Sequence, residues 1–365
     1  MIYFKHNLYK RSFEIKTDVI FWRFSLVGDL AMYTIKDVAR ESGTSIATVS
    51  RVINGKSVRE ENARKIRETM ERLSFNANVH ARCLRNRKTG IVALLIPNLE
   101  HVYFMKVAKA IRYYLDKRGY AMLLADSNDC LEEEIKQIKM LVDRSVDGLL
   151  IAPATDTGEH LKQYVSKMPI VLLDQILDDF EADAVVPDNI NSVYDAVQCF
   201  IRSGHKRIGI ICGPMGSFTA RERLLGYKRA HEDYKFPLNE KLIKSRKYDV
   251  RSGYDLMNEF MAMEPEQRPT AIMATNYDIT KGALMAVQEH DLHIPQDFSF
   301  IGYDFEEVTY LFTPKISIIK EDINEIGRRV VDVLCKKMEQ DKDVLSSEVY
   351  RVGYELIKKD SVQKI

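Results

Sequence analysis

No stretch of this 365-residue chain approaches 18 consecutive apolar residues, so nothing in it reads as a membrane-spanning helix. The five cysteines (Cys83, Cys130, Cys199, Cys212 and Cys335) are scattered and form no C-x-x-C pair. That pattern excludes a disulfide framework or zinc knuckle and fits a reducing cytosol. Glycine is missing where a dinucleotide fold would need it: Ile96-Pro97-Asn98-Leu99-Glu100, after the first apolar run, contains none. There is no Walker A, no G-x-S-x-G and no clustered His/Asp/Glu set with metal-ligand spacing. No catalytic residue, cofactor or metal is therefore expected. Net charge is also almost absent, at +1 from 54 basic and 53 acidic residues.

That near-zero charge hides a split. Residues 32–88 hold 13 Lys+Arg against 6 Asp+Glu, a net +7, and residues 1–31 carry +2. Residues 89–365 carry −8. A small basic module joined to a large acidic body points to a nucleic-acid partner. Residues 1–31 form an unexplained extension. The apolar run 19–27 is broken by Arg23, and Asp29 stands where a cleavage region would lie, so a signal peptide is not expected. Met32 is followed at once by a well-formed domain start and is expected to be the natural first residue, with 1–31 non-native or disordered.

Residues 35–42 place Ile35, Val38 and Ala39 on one helical face, with Thr34 as N-cap, Asp37 as its acidic partner and Gly43 as the terminator. Ser45 caps a second helix over 46–53, which Asn54-Gly55 stops. A third helix, 60–73, turns Ala63, Ile66, Met70 and Leu73 inward. Short helix, glycine turn, second helix is a helix-turn-helix layout, whose second helix enters a major groove. Its N-terminal residues Ile46 and Ala47 offer apolar contact to a thymine methyl, and Arg51 can fork onto guanine. Ser45, Thr48, Ser50 and Asn54 suit phosphate oxygens.

After Gly90 the texture changes. Apolar, β-rich runs recur at 91–97, 121–124, 148–151, 170–173, 208–212, 271–274 and 298–301, separated by helical patterns such as 107–118, 132–141, 193–203, 220–233 and 279–289. This alternation predicts two α/β lobes, each a doubly wound parallel sheet, divided near residue 190.

The stretch Thr34-Ile35-Lys36-Asp37-Val38-Ala39, then Gly43 to Gly55 (GTSIATVSRVING), resembles the opening of LacI/GalR-family transcriptional regulators. Further matches are Gly204-His205-Lys206-Arg207-Ile208, Arg223-x-x-Gly226-Tyr227, Ile294-Pro295-Gln296-Asp297 with Ile301-Gly302-Tyr303-Asp304, and Ile326-Gly327. The resemblance covers residues 32 to about 359. It implies a DNA-binding headpiece (32–77), a hinge helix or linker (78–88) and a core (89–365) of two Rossmann-like lobes, like a periplasmic binding protein, that holds an effector and dimerises. It also implies operator contacts by Thr34 and Asn78, and a minor-groove wedge at Leu84. Ala77 replaces the proline usual there, and Cys83 sits beside the wedge as an ordinary small side chain.

In open α/β sheets ligands bind outside the carboxyl ends of strands, where Asp174, Asn276 and Asp304 stand. The resemblance places Asn276, Asp304 and Arg223 at effector-contacting positions, with Tyr103 and Phe104 as paired aromatics that stack on a ring. Arg223 is expected to fork onto hydroxyls, a carboxylate or a phosphate. Tyr277 and Phe305 stand where the family usually has acidic residues. The expected pocket thus loses negative charge, and a sugar acid or sugar phosphate joins neutral sugars as a candidate effector. The overall expectation is a cytoplasmic homodimeric repressor of a sugar or sugar-acid operon on a pseudo-palindromic operator. The alternative within the family is a catabolite-control regulator that works with a phosphocarrier co-repressor.

Overall fold

The structure is a computed structural model that describes residues 33–53, 56–73, 75, 88–304, 311–339 and 347–365. The expectations for residues 1–31, Asn54, Asn78, Cys83, Leu84 and Phe305 fall outside the described residues. The chain divides into two compact units, Met1–Ala81 and Arg82–Ile365, with the division inside the segment expected to link them.

The first unit holds three helices: α1 (Ile35–Ser42), α2 (Ile46–Ile53) and α3 (Glu60–Arg72). Local chemistry sets the ends. The Thr34 N–H donates to the Asp37 carboxylate at 2.9 Å, and the Ser45 hydroxyl oxygen accepts from the Thr48 N–H at 3.1 Å. Gly43 takes φ +65°, the left-handed turn that an L side chain resists. Val38, Val49 and Ile66 are fully buried and, with Ala39 and Phe75, form the core of the unit.

The second unit contains two six-stranded sheets. Its strands are β1 (Ile91–Ile96), β2 (Ala121–Asp126), β3 (Gly148–Ile151), β4 (Ile170–Leu173), β5 (Asp183–Pro187), β6 (Ile208–Cys212), β7 (Ile243–Ser245), β8 (Ala271–Ala274), β9 (Ser299–Tyr303), β10 (Ser317–Glu321), β11 (Val349–Val352) and β12 (Tyr354–Ile357). The N-lobe order is β2-β1-β3-β4-β5-β11 and the C-lobe order is β7-β6-β8-β9-β10-β12. All pairings are parallel except β10 with β12. Five strands beyond the expected ones complete these sheets: β5, β7, β10, β11 and β12. The short β7 forms the opposite edge of the C-lobe.

Helices cover both faces of each sheet, as parallel sheets require. In the N-lobe, α4 (Val102–Asp116) and α10 (Ile323–Glu339) pack on one face, and α5 (Leu131–Asp143) with a 3-10 turn at Glu159–Tyr164 packs on the other. In the C-lobe, α6 (Asn189–Arg202) and α7 (Phe218–Asp233) face α8 (Val250–Met261) and α9 (Tyr277–Glu289) across the sheet. The chain crosses between lobes three times, after β5, after β10 and between β11 and β12.

Polar contacts bind these crossings. The Asp188 N–H donates to the Val352 carbonyl at 2.9 Å, joining the first crossing to the third. Arg351 at the end of β11 forks onto Glu222 of α7 at 2.8 and 2.5 Å. At the opposite rim, His101 of the N-lobe lies between two carboxylates. Its Nδ1 is 3.3 Å from Asp278 of the C-lobe, and its Nε2 is 3.9 Å from Asp129 of its own lobe. Asp129 first, and Asp278 next, raise its pKa from 6.5 to about 9 against the opposing effect of burial.

The α8–α9 crossing depends on reciprocal glycines. A Cβ on Gly253 would strike the Ile279 backbone, and one on Gly282 would strike the Val250 carbonyl oxygen. Gly282→Ala is therefore expected to destabilise the chain by about 1–3 kcal/mol in urea denaturation. Helix propensity alone would give a gain of about 1 kcal/mol, so the sign of the change decides between them. For His101, a raised pKa means that the folded state holds the proton more tightly. Its contribution is complete below about pH 6.5 and is lost as pH climbs through about 9. His101→Gln should accordingly lower the melting temperature at neutral pH, and the gap to wild type should close in melts above pH 9.

Candidate functional sites

The outward face of α2 is the candidate nucleic-acid interface. Ser45, Ile46, Ala47 and Arg51 are exposed, Thr48 and Ser50 are half-buried, and Val49 points into the core. Ile46 is 47% exposed on this face. Arg51 has no acidic partner among the described residues, whereas Arg40 and Arg72 pair with Asp37 or Glu41, and Lys65 and Arg67 with Glu61 and Glu60. Thr34 is exposed at the start of α1. Ser45 and Thr48, read in the sequence as phosphate contacts, also bond each other at the helix cap, their hydroxyls 2.8 Å apart.

In the second unit both sheets reverse their strand order, between β1 and β3 and between β6 and β8. The loops leaving the carboxyl ends at these switch points surround one cleft of about 920 Å³. Residues 97–98, 153–156 and 174–175 come from the N-lobe; residues 214–217, 247–250, 276–278 and 304 come from the C-lobe. A buried Glu134 steadies the near wall. Its carboxylate accepts from the Ala154 N–H at 2.6 Å and bonds His160 Nε2 at 2.6 Å.

All six expected effector residues line this cleft: Tyr103, Phe104, Asp174, Arg223, Asn276 and Asp304. Tyr103 and Phe104 lie in the first turn of α4, not in a loop before it, with their rings edge to face at 5.1 Å. The Tyr103 hydroxyl donates to Asp174 at 3.2 Å. Asn276 is also the N-cap of α9, its Oδ1 accepting from the Ile279 N–H at 2.8 Å, which leaves its amide N–H groups to face a ligand. Asp174 and Asp304 both adopt left-handed backbone, at φ +66° and +53°, which turns each carboxylate out of its strand.

Arg223 departs from expectation. Its Nε donates to Asn189 Oδ1 at 2.8 Å, its Nη1 to the Thr275 carbonyl at 2.5 Å and its Nη2 to Glu321 Oε1 at 2.9 Å. The Tyr303 ring lies 4.1 Å under the guanidinium. Three of its five N–H donors are thus committed within the protein, so Arg223 is a strut of the site as well as a residue of the cleft lining.

The cleft is acidic even with Tyr277 in place of an acidic residue. Seven carboxylates and three basic groups line the cleft. Glu321, which the sequence reading missed, brings another carboxylate beside Arg223, in an adjoining cavity of about 680 Å³ that Tyr103, Tyr277 and Asp304 also line. Burial pushes Asp174 up to about 6 and Glu321 up to about 7, against the pull of Arg223. Burial, reinforced by Glu321, drives Asp304 well above the carboxylate range. Glu321 stands at the carboxyl end of a strand, as Asp174 and Asp304 do, so the rule that found those two would have found it had β10 been recognised. Gln175 and Tyr248 were missed too, because loop residues without a motif carry no sequence signal.

Comparison with known proteins agrees with both units. Residues 34–78 match the family model of bacterial regulatory proteins of the lacI family, and residues 89–359 match the model of periplasmic binding proteins and the sugar binding domain of the LacI family. Catabolite control protein A of Priestia megaterium is 28% identical over 88% of this chain and 97% of its own length. The HTH-type transcriptional repressor PurR of Aliivibrio fischeri is 29% identical over 91% and 98%. In fold, the chain is similar to the lac repressor dimer bound to operator and the anti-inducer ONPF (TM-score 0.79, 22% identity, 91% and 99% covered) and to the CelR–cellobiose complex (0.68, 23%, 90% and 99%). No described helix is long and apolar enough to cross a membrane. The chain belongs to the LacI family and is a DNA-binding transcriptional repressor with a ligand-binding core.

Proposed function

We propose that this repressor controls a carbohydrate-utilisation operon and is itself controlled by a small hydroxylated effector held between the lobes. One observation carries the reading: the polar groups of both lobes converge on one cleft at the two switch points, in a chain whose other unit presents Ile46, Ala47 and Arg51 outward. Carboxylates and amides each hold neighbouring hydroxyls, and the Tyr103–Phe104 pair offers a ring face. Convergent groups inside a cleft support a small molecule, rather than a protein co-repressor, as the direct signal. The acidic lining weighs against a sugar acid or sugar phosphate. The chain works as a homodimer in the cytoplasm, its two headpieces reading successive half-sites of a pseudo-palindrome, with Asn54, Asn78 and Leu84 added to the DNA contacts.

Closure of the lobes on the effector changes their angle and shifts the operator-bound population. Operator and effector must then change each other's affinity by one common factor. Selection from random-sequence DNA should yield a pseudo-palindrome, and titrating it with and without a cleft ligand should give that factor from both directions. A cleft ligand that leaves operator affinity unmoved would overturn the proposal. Arg51→Ala should cost about 1–3 kcal/mol on the selected site and relax its sequence choice. An equal loss on random DNA would reassign Arg51 to phosphate.

A further inference from the structure

Buried Glu321 and half-buried Asp174 and Asp304 stand where the second crossing, the end of β4 and the end of β9 meet. Arg223 faces them from α7 and Lys106 from α4 at the cavity edge; Tyr103 and Tyr303 flank Glu321, and Tyr248 stands beside Arg223. His101, the remaining basic group of the N-lobe wall, is already held by Asp129 and Asp278. Among the described residues the centre therefore holds three carboxylates against Arg223, with Lys106 and Lys320 on the wall of the same cavity and Asp322, Glu325 and Glu355 adding to its acidic side.

Three buried side-chain atoms lack a hydrogen-bond partner among the described residues: Glu321 Oε2, Gln175 Oε1 and the Tyr248 hydroxyl. Glu321 is 2% exposed and lines the cavity of about 680 Å³, while Gln175 and Tyr248 line the main cleft. The Gln175 oxygen can only accept, and Glu321 Oε2 accepts when it is ionised, so an occupant that brings donors suits both. An unpaired buried carboxylate is costly, and the cost falls on any occupant that leaves it unpaired. A neutral sugar supplies hydroxyl donors but no charge, and a sugar acid adds a fourth negative charge. An ammonium brings three donors, no acceptor and the missing positive charge.

We infer that the effector carries a basic nitrogen, bound as a cation against Glu321 and Asp304, so that its chemical class is an amine-bearing carbohydrate. This rests on reading the cleft as the effector site. Burial raises Asp304 well above the carboxylate range and Glu321 to about 7, and protons held on this cluster occupy the place of the ligand's charge. A cationic ligand releases them on binding; a neutral sugar does not.

The test is calorimetry on the full chain with D-glucosamine, D-galactosamine and D-mannosamine, each against its neutral parent sugar, with D-glucuronate as the anionic arm. The expected result is one amine at least about tenfold tighter than its parent, with proton release into the buffer and affinity rising from about pH 6 to about pH 7. Glu321→Gln, which keeps the shape, should erase that preference, bringing the ratio of amine to parent affinity within about twofold of one whatever the absolute affinities become, and Asp304→Asn should act alike. A parent sugar or glucuronate that binds as tightly, a preference that survives Glu321→Gln, or a panel in which no amine binds would each overturn the inference. If a neutral sugar binds and shifts operator affinity, the effector reading stands and the charge assignment falls. If an amine binds with the expected preference yet leaves operator affinity unmoved, the charge assignment stands and the effector reading falls.

Discussion

A buried guanidinium must be paired on every side, and in this protein that requirement organises the core. Arg223 is 6% exposed and reaches Asn189 at the first crossing, Glu321 at the second, the carbonyl at the end of β8 and the ring of Tyr303 in β9. Asn189 in turn donates to Glu222 at 3.5 Å, and Glu222 holds Arg351 beside the third crossing. A chain of alternating charges and amides therefore touches all three strands that join the lobes. Removing one member of such a network leaves its neighbour buried and unpaired, which costs more than the pair contributes when intact. The lobes are thus linked by covalent crossings whose local geometry Arg223 fixes.

Charge is partitioned to the same end. The −8 of residues 89–365 and the +7 of residues 32–88 almost cancel in the whole chain, yet they serve different tasks. Basic groups on the helical unit neutralise phosphate, and an acidic core is repelled by it, which confines binding to the helices built for it. Within the core the same acidity reaches its extreme in the cleft, where burial, not solvent, decides which carboxylates keep their protons.

Much of this was legible in the sequence, for physical reasons. The ends of α1 and α2 rest on contacts three residues apart (Thr34 with Asp37, Ser45 with Thr48), and Gly43 marks its own left-handed turn, so local chemistry suffices. Buried strands such as β3, β4 and β8 announce themselves as unbroken apolar runs. The strands that escaped notice are bounded by charge or lie at edges. Asp183 and Pro187 delimit β5, Lys320 and Glu321 end β10, and β11 and β12 expose alternate residues at the sheet margins. Losing β10 concealed Glu321, and with it the true charge of the cleft. The role of Arg223 was hidden for a different reason. Whether a guanidinium faces a ligand or a carboxylate 98 residues away is a tertiary fact, with no local signature.

The position of Glu321 gives the network a functional direction. Its Oε1 belongs to Arg223, and through Arg223 to the crossings; its Oε2 is buried without a hydrogen-bond partner among the described residues, in a side chain that lines the cavity. One carboxylate is therefore shared between the ligand space and the hinge. An occupant that satisfies Oε2 alters the charge that Arg223 sees, and Arg223 is bonded to Asn189 and Glu321 at two of the crossings between the lobes. A ligand shifts an equilibrium only by its differential affinity for the two states. On the proposed reading that difference is available because Glu321, which lines the cavity, is bonded through Arg223 to the crossings between the lobes.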